Sequence, residues 1–164
     1  MKNKKAQMQL SFGMIFSIIL IIIFLGFAIY GIFKFLEIAD AAKLGKFKSD
    51  LQTDIDNAWK SQISSEDKTY NLPGKITYVC LMDGNKMAKG KDGRFYDELS
   101  FNFFGDENLF FYPSKEAQAL ASFEIQHINI TKTTEENNPY CIRNSDGVRL
   151  IIEKKYGEKL PYIK

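Results

Sequence analysis

The 164 residues carry 22 Lys/Arg against 20 Asp/Glu and a single His, a formal charge of +2. From Asp40 onward 18 basic face 19 acidic side chains, so the excess comes from Lys2, Lys4, Lys5 and Lys34 against Glu37. A near-neutral domain argues against nucleic acid as a partner, since that needs a basic face to displace counterions. There is no internal repeat or low-complexity tract, and four prolines are too few for a stiff linker.

Residues 1–11 read as a basic stub. No charged residue lies between Gln7 and Phe33, and Met14 to Phe33 alone is 20 residues long. At about 1.5 Å per residue that run spans roughly 30 Å, the hydrocarbon thickness of a bilayer. Fourteen of the 20 are Ile, Leu or Phe, which together favour insertion by about 4 to 8 kcal/mol. The pattern predicts a transmembrane helix over 12–36, with the lipid bilayer as its partner. Gly26-Phe27-Ala28 could pass for a signal-peptidase site, but the apolar run continues through it to Leu36, as in a permanent or prepilin-type anchor. Lysines lie on both sides of the span. Those before it are denser and undiluted by acids, so the expectation is an N-terminus in the cytoplasm and the C-terminal domain outside it.

Beyond the span an amphipathic helix is expected over 37–65. Leu44, Phe47, Leu51, Ile55, Ala58 and Trp59 share one arc at 100° per residue, while Asp50, Thr53, Asp54, Asp56 and Asn57 lie outside it. Ile38 and Ala42 fall out of phase, which places a bend or break near Gly45. The helix is expected to end near Ser61–Ser65.

Residues 66–164 carry strand and turn signals. Lys75 to Met82 is β-branched and aromatic and is followed by the turn Asp83-Gly84-Asn85-Lys86. Asn108 to Pro113 is a short apolar run stopped by proline. Ser122 to Thr131 carries two alternating sets that change phase, as at a bulge or in a strand buried on both faces. Ser145-Asp146-Gly147 between two strand-like runs reads as a hairpin. The fold class is therefore α+β: a long N-terminal helix followed by a small antiparallel sheet packed on the Leu44–Trp59 stripe.

An apolar N-terminal helix, its amphipathic extension and a sheet domain resemble the layout of type IV pilin-like proteins. Lys4-Lys5-Ala6-Gln7 is similar to the archaeal prepilin and archaellin signal, in which two basic residues and a small residue precede the cut. The resemblance implies a processing peptidase that leaves Gln7 as the new N-terminus, so that the helix can leave the bilayer and bundle in a filament. One position departs from the pattern: the fifth residue of the mature chain would be Ser11, where bacterial-type pilins carry Glu. The whole chain also resembles small single-span archaeal membrane proteins, which implies no activity.

Cys80 and Cys141 both lie in strand-like segments. Outside the cytoplasm they would form a disulfide; inside it they would be separate buried thiols. Asn129-Ile130-Thr131 matches the N-glycosylation acceptor pattern, set against an ordinary strand position. His127 lacks a second histidine or a spaced cysteine, and pairing with a cysteine as nucleophile and base has no support in the spacing. Asp83 to Arg94 imitates a calcium loop but places Arg94 where a bidentate Glu is needed, so its cations read as a solvated loop. No metal or cofactor is expected, and no catalytic set converges, which leaves a membrane-tethered enzyme as a remote alternative.

Eight aromatics lie between Phe95 and Tyr112. Phe101, Phe103, Phe104, Phe110, Phe111 and Tyr112 are the candidate partner-binding set, because a small domain has difficulty covering all of them. The functional expectation is a membrane-anchored extracytoplasmic structural or interaction protein, either a filament subunit or a non-polymerising accessory domain. Its partners would be copies of itself or other envelope proteins.

Overall fold

The computed structural model describes residues 12–164. The proposed processing signal, Lys4, Lys5, Ala6 and Gln7, and the remainder of the basic stub lie outside the described residues. The described residues divide into two units, with the boundary between Ala39 and Asp40.

In the first unit, helix α1 begins at Phe12 and runs on to Lys60 as one element. Its large apolar side chains from Phe12 to Leu36 are exposed, Phe24 at 68% and Phe27 at 71%. Among the described residues this is the one helix long and apolar enough to cross a membrane. Ser17 keeps its hydroxyl satisfied locally by donating to the Gly13 carbonyl at 2.8 Å, as a hydroxyl in an apolar medium must.

The helix is not broken at Gly45. Ile38 and Ala42, out of phase with the stripe, are exposed, and the buried stripe starts at Leu44. In the second unit Leu44, Phe47, Leu51, Ile55 and Ala58 are buried, as their spacing predicts, whereas Trp59 remains 38% exposed. The helix stops at Lys60, ahead of the expected boundary. The buried Lys154 donates its ammonium to the carbonyls of Trp59 (2.5 Å) and Ser61 (2.8 Å). A cation at a helix C-terminus satisfies carbonyls that have no intrahelical partner.

Ser64 and Ser65 belong to a strand rather than to the helix. Strand β1 (Ser64–Tyr70) pairs along its whole length with β6 (Val148–Lys154), antiparallel, and β6 pairs with the short β7 (Tyr162–Ile163). A second sheet has the order β4-β3-β2-β5, from Ser122–Phe123, Leu109–Tyr112, Tyr78–Leu81 and Tyr140–Arg143. The sheet-rich region thus contains two antiparallel sheets. Short helices α2 (Tyr96–Ser100), α3 (Ser114–Ala117) and α4 (Ile130–Thr133) lie in the connections between successive strands of the four-stranded sheet.

Two turn readings need correction. Ser145-Asp146-Gly147 does form a turn, with Asp146 at φ 59° and Gly147 at φ 116°. The strands on either side of it go to different sheets, however, so it is a crossover and not a hairpin. Only Ser122–Phe123 of the segment ending at Thr131 is strand. Asn108 takes over as partner beyond it, donating from Nδ2 to the Ile125 carbonyl and accepting the Ile125 N–H at Oδ1, both at 2.9 Å. A side chain that mimics a neighbouring strand lets the backbone leave the sheet without unsatisfied groups. The phase change between Phe123/Ile125 and Ile128/Ile130 is therefore a turn, with His127 at φ 60°.

The main core packs the helix stripe against Val79, Leu81, Leu109, Phe111, Val148, Leu150 and Ile152. The other face of the four-stranded sheet carries a smaller cluster of Cys80, Met82, Phe95, Leu99 and Phe110. Strand residues alternate between faces, so β2 and β3 supply both.

Candidate interaction surface

Cys80 and Cys141 are directly opposed on β2 and β5, and their sulfurs are bonded. Cys80 is fully buried in the smaller cluster. The Cys141 N–H donates to Oδ2 of the buried Asp92 at 3.3 Å, tying the loop before α2 to the same strand. The bond joins positions 61 residues apart.

The aromatic set divides. Phe110 and Phe111 are successive residues of a strand with apolar layers on both faces, and both are fully buried. Phe111 makes edge contacts with Phe47 at 5.7 Å and Phe123 at 5.9 Å between centroids, while Phe110 joins the smaller cluster. Tyr112 is half-buried against Phe95 at 4.8 Å. The half-buried Phe103 covers Gly84 so closely that a Cβ there would meet its ring at 2.6 Å. Phe110 and Phe111 are thus core residues, and Phe103 and Tyr112 largely support the fold. Phe101 and Phe104 remain outside, 81% and 82% exposed.

Phe104 is held on an ordered tip. Its N–H donates to the Glu107 carboxylate at 2.8 Å. That bond, aided by the N–H groups of Glu107, Gly105 and Asp106, holds the Glu107 carboxyl below the usual carboxylate range. A carboxylate gathered by several backbone donors favours its ionised form.

The loop from Asp83 adjoins this tip. Phe103 lies over Gly84, and the Tyr96 hydroxyl donates to the Lys86 carbonyl at 2.7 Å. The loop wraps the buried Asn138, which accepts the Asp83 N–H and donates to the carbonyls of Asp83, Lys86 and Met87 at 3.0 to 3.2 Å. Asp83 folds an Asx turn by accepting the Asn85 N–H at 3.2 Å. Met87 emerges beside it, 89% exposed.

Asn129 is not a strand residue. It is the N-cap of α4, its Oδ1 accepting the Lys132 N–H at 3.0 Å. Thr131 accepts a bond from Lys86 at 3.1 Å and donates to Asp83 at 3.4 Å. Both polar side chains of the acceptor pattern are engaged in the fold.

His127 contacts neither cysteine chemistry nor a second histidine. Its Nδ1 meets Asp56 Oδ1 at 2.9 Å, and its ring stacks on Trp59 at 3.8 Å with planes 6° apart. The His127 bond, with help from Gln52, lowers the Asp56 carboxyl. Gln52 also exchanges hydrogen bonds with the Gln126 backbone. This group clamps the 124–129 turn to the helix and accounts for the partial exposure of Trp59.

Two clefts remain. One of about 280 Å³ is lined by residues that include Lys132, Glu135, Tyr140 and Tyr162, and one of about 400 Å³ by residues that include Trp59, Lys154 and Tyr156. In the first, Lys132 pairs with Glu158. Among the described residues no three His, Cys, Asp or Glu side chains converge as a metal site. The helix cap by Lys154 and the Asn138 hub carry no pattern a sequence reader would single out, although the polar run before Pro139 marks a turn there. Comparison with known proteins returns nothing similar: no family model, no curated protein and no solved structure matches the chain.

Proposed function

We propose that the chain is a single-pass membrane protein that presents its disulfide-bearing domain outside the cytoplasm as a structural or interaction module. The observation that carries this reading is the division of α1. Its first part exposes Ile, Leu and Phe over the length of a bilayer, and its second part forms one wall of a folded core. The Cys80–Cys141 bond supports an oxidising compartment for the domain. With the lysines ahead of the span denser and undiluted by acids, this favours an N-terminus on the cytoplasmic side. The finer form of the reading is a pilin-like filament subunit assembled through the apolar helix, resting on Lys4-Lys5-Ala6-Gln7 and the overall layout. A non-polymerising accessory domain shares the same anchor.

The intact mass and N-terminal residue of protein purified from its native envelope test the finer form. A mature chain beginning at Gln7 supports processing for assembly. A chain retaining Lys2–Ala6 leaves the anchor in place and removes the filament reading.

A further inference from the structure

The end of α1 and the segment after β6 wall a cleft of about 400 Å³, lined by residues that include Trp59, Lys60, Gln62, Lys154, Tyr156 and Glu158. Side chains alternate along β6, and the last of its inward set is Lys154, only 7% exposed. An ammonium so far from water needs its three N–H groups satisfied and its charge offset. The carbonyls of Trp59 and Ser61 accept two of the three. Among the described residues the third finds no acceptor, and the charge finds no carboxylate partner. The helix C-terminus offsets only part of that charge through its dipole.

The rest of the lining has the same character. Lys60 and Gln62 are exposed, and neither side chain makes a hydrogen bond or an ion pair among the described residues. The Trp59 indole N–H and the Tyr156 hydroxyl are likewise without a partner there. Lys60 feels the Asp56 carboxylate one turn back, which His127 already binds. Glu158, the one carboxylate named in the wall, is held by Lys132 and by the Lys155 N–H at 2.9 Å. The uncommitted groups are therefore mostly donors, and the uncommitted charges are positive. Such a wall suits an anion that brings several oxygen acceptors. Two rings stand at the same cleft, Trp59 at 38% and Tyr156 at 81% exposure. They offer an apolar surface to the body that carries the anion, which a bare inorganic ion would leave uncovered.

We infer that this cleft binds a small organic carboxylate, its oxygens taking the third Lys154 N–H and the Lys60 ammonium and its body lying against Trp59 and Tyr156. The inference goes beyond the interaction reading above and does not depend on it, because the cleft belongs wholly to the unit from Asp40 onward.

Trp59 is the only tryptophan in the chain, so its emission reports on the cleft directly. The full chain in detergent micelles is titrated with glucuronate, benzoate and glucose at constant ionic strength, followed by Trp59 emission and by calorimetry. At least one of the two carboxylates should bind with a Kd of about 1 mM or tighter, and glucose should not bind. Glucuronate alone marks a sugar acid, and benzoate alone an apolar ring acid. Lys154→Met should weaken binding about tenfold or more, through loss of a charge-assisted bond. Lys60→Glu, at an exposed position that the fold does not use, should weaken it about threefold and keeps the test open where Lys154→Met loses the fold. Failure of both carboxylates to bind, binding of glucose as tight as that of glucuronate, or an affinity indifferent to both lysine substitutions overturns the inference. Each of those results leaves the anchored-domain reading intact, since that reading fails only if the domain lies in the cytoplasm or the chain is not inserted.

Discussion

The two parts of α1 distribute their apolar residues differently and have opposite surroundings. Between Phe12 and Leu36 nearly every position is apolar, and the large side chains face outward. Between Leu44 and Ala58 apolar residues occupy only one stripe, and all five of its main members are buried. Hydrophobicity all round a helix requires an apolar solvent, whereas a stripe requires only a folded neighbour. The two parts of the helix therefore suit different surroundings, and the change between them is marked by Lys34, Glu37 and Asp40.

Substitutions of equal size should separate the two regions most sharply. Leu51→Ala leaves a cavity beneath the sheets and should destabilise the domain by about 2 to 5 kcal/mol. Ile22→Ala touches no core and should change domain unfolding by less than about 0.5 kcal/mol. Denaturant unfolding of the purified chain in detergent measures both, and equal losses would break the distinction.

The disulfide belongs to the second region alone. Replacing Cys80 and Cys141 together should cost about 4 kcal/mol of domain stability, the loop-closure value for this separation, while the amount recovered in the membrane fraction stays the same. Lys154→Met sharpens the boundary further along the helix. It removes two ammonium bonds to the terminal carbonyls and should cost about 1.5 to 3 kcal/mol, again without effect on insertion.

The smallest effect is acid dependence. Bonds from His127 to Asp56, from Arg149 to Asp67 and from Lys132 to Glu158 lower these carboxyls, and Lys164 with Tyr162 lowers Glu153. Each group binds its proton more weakly folded than unfolded. Their contribution is therefore complete above the ordinary carboxylate range near about 4 and fades as pH falls through the lowered values. Thermal unfolding followed from pH 7 to 3 should show the midpoint falling only below about pH 5.

How far the sequence discloses this arrangement depends on which force decides each element. The apolar run and the stripe are long and periodic, so the helix and its buried face are legible, as are β2 and β3 around Val79 and Phe111. Strand β1 is not legible, because Ser-Ser-Glu-Asp-Lys-Thr-Tyr contains almost nothing apolar. It forms because β6 offers seven residues of backbone to pair with. The end of the Ser122 strand is equally hidden, since a single side chain, Asn108, supplies the substitute hydrogen bonds. At the candidate surface, the aromatic cluster is visible in the sequence. Phe110 and Phe111 are both buried because their strand is covered on both faces, whereas Phe101 and Phe104 stay outside on the turn before it, and telling the two apart needs the topology.

Placement of the domain is the central claim, and external protease applied to intact cells tests it most directly. The expected result is loss of the domain with a protected N-terminal fragment that contains the apolar helix. A chain that resists cleavage until the cells are opened, and is then digested, would put the domain in the cytoplasm and contradict the claim.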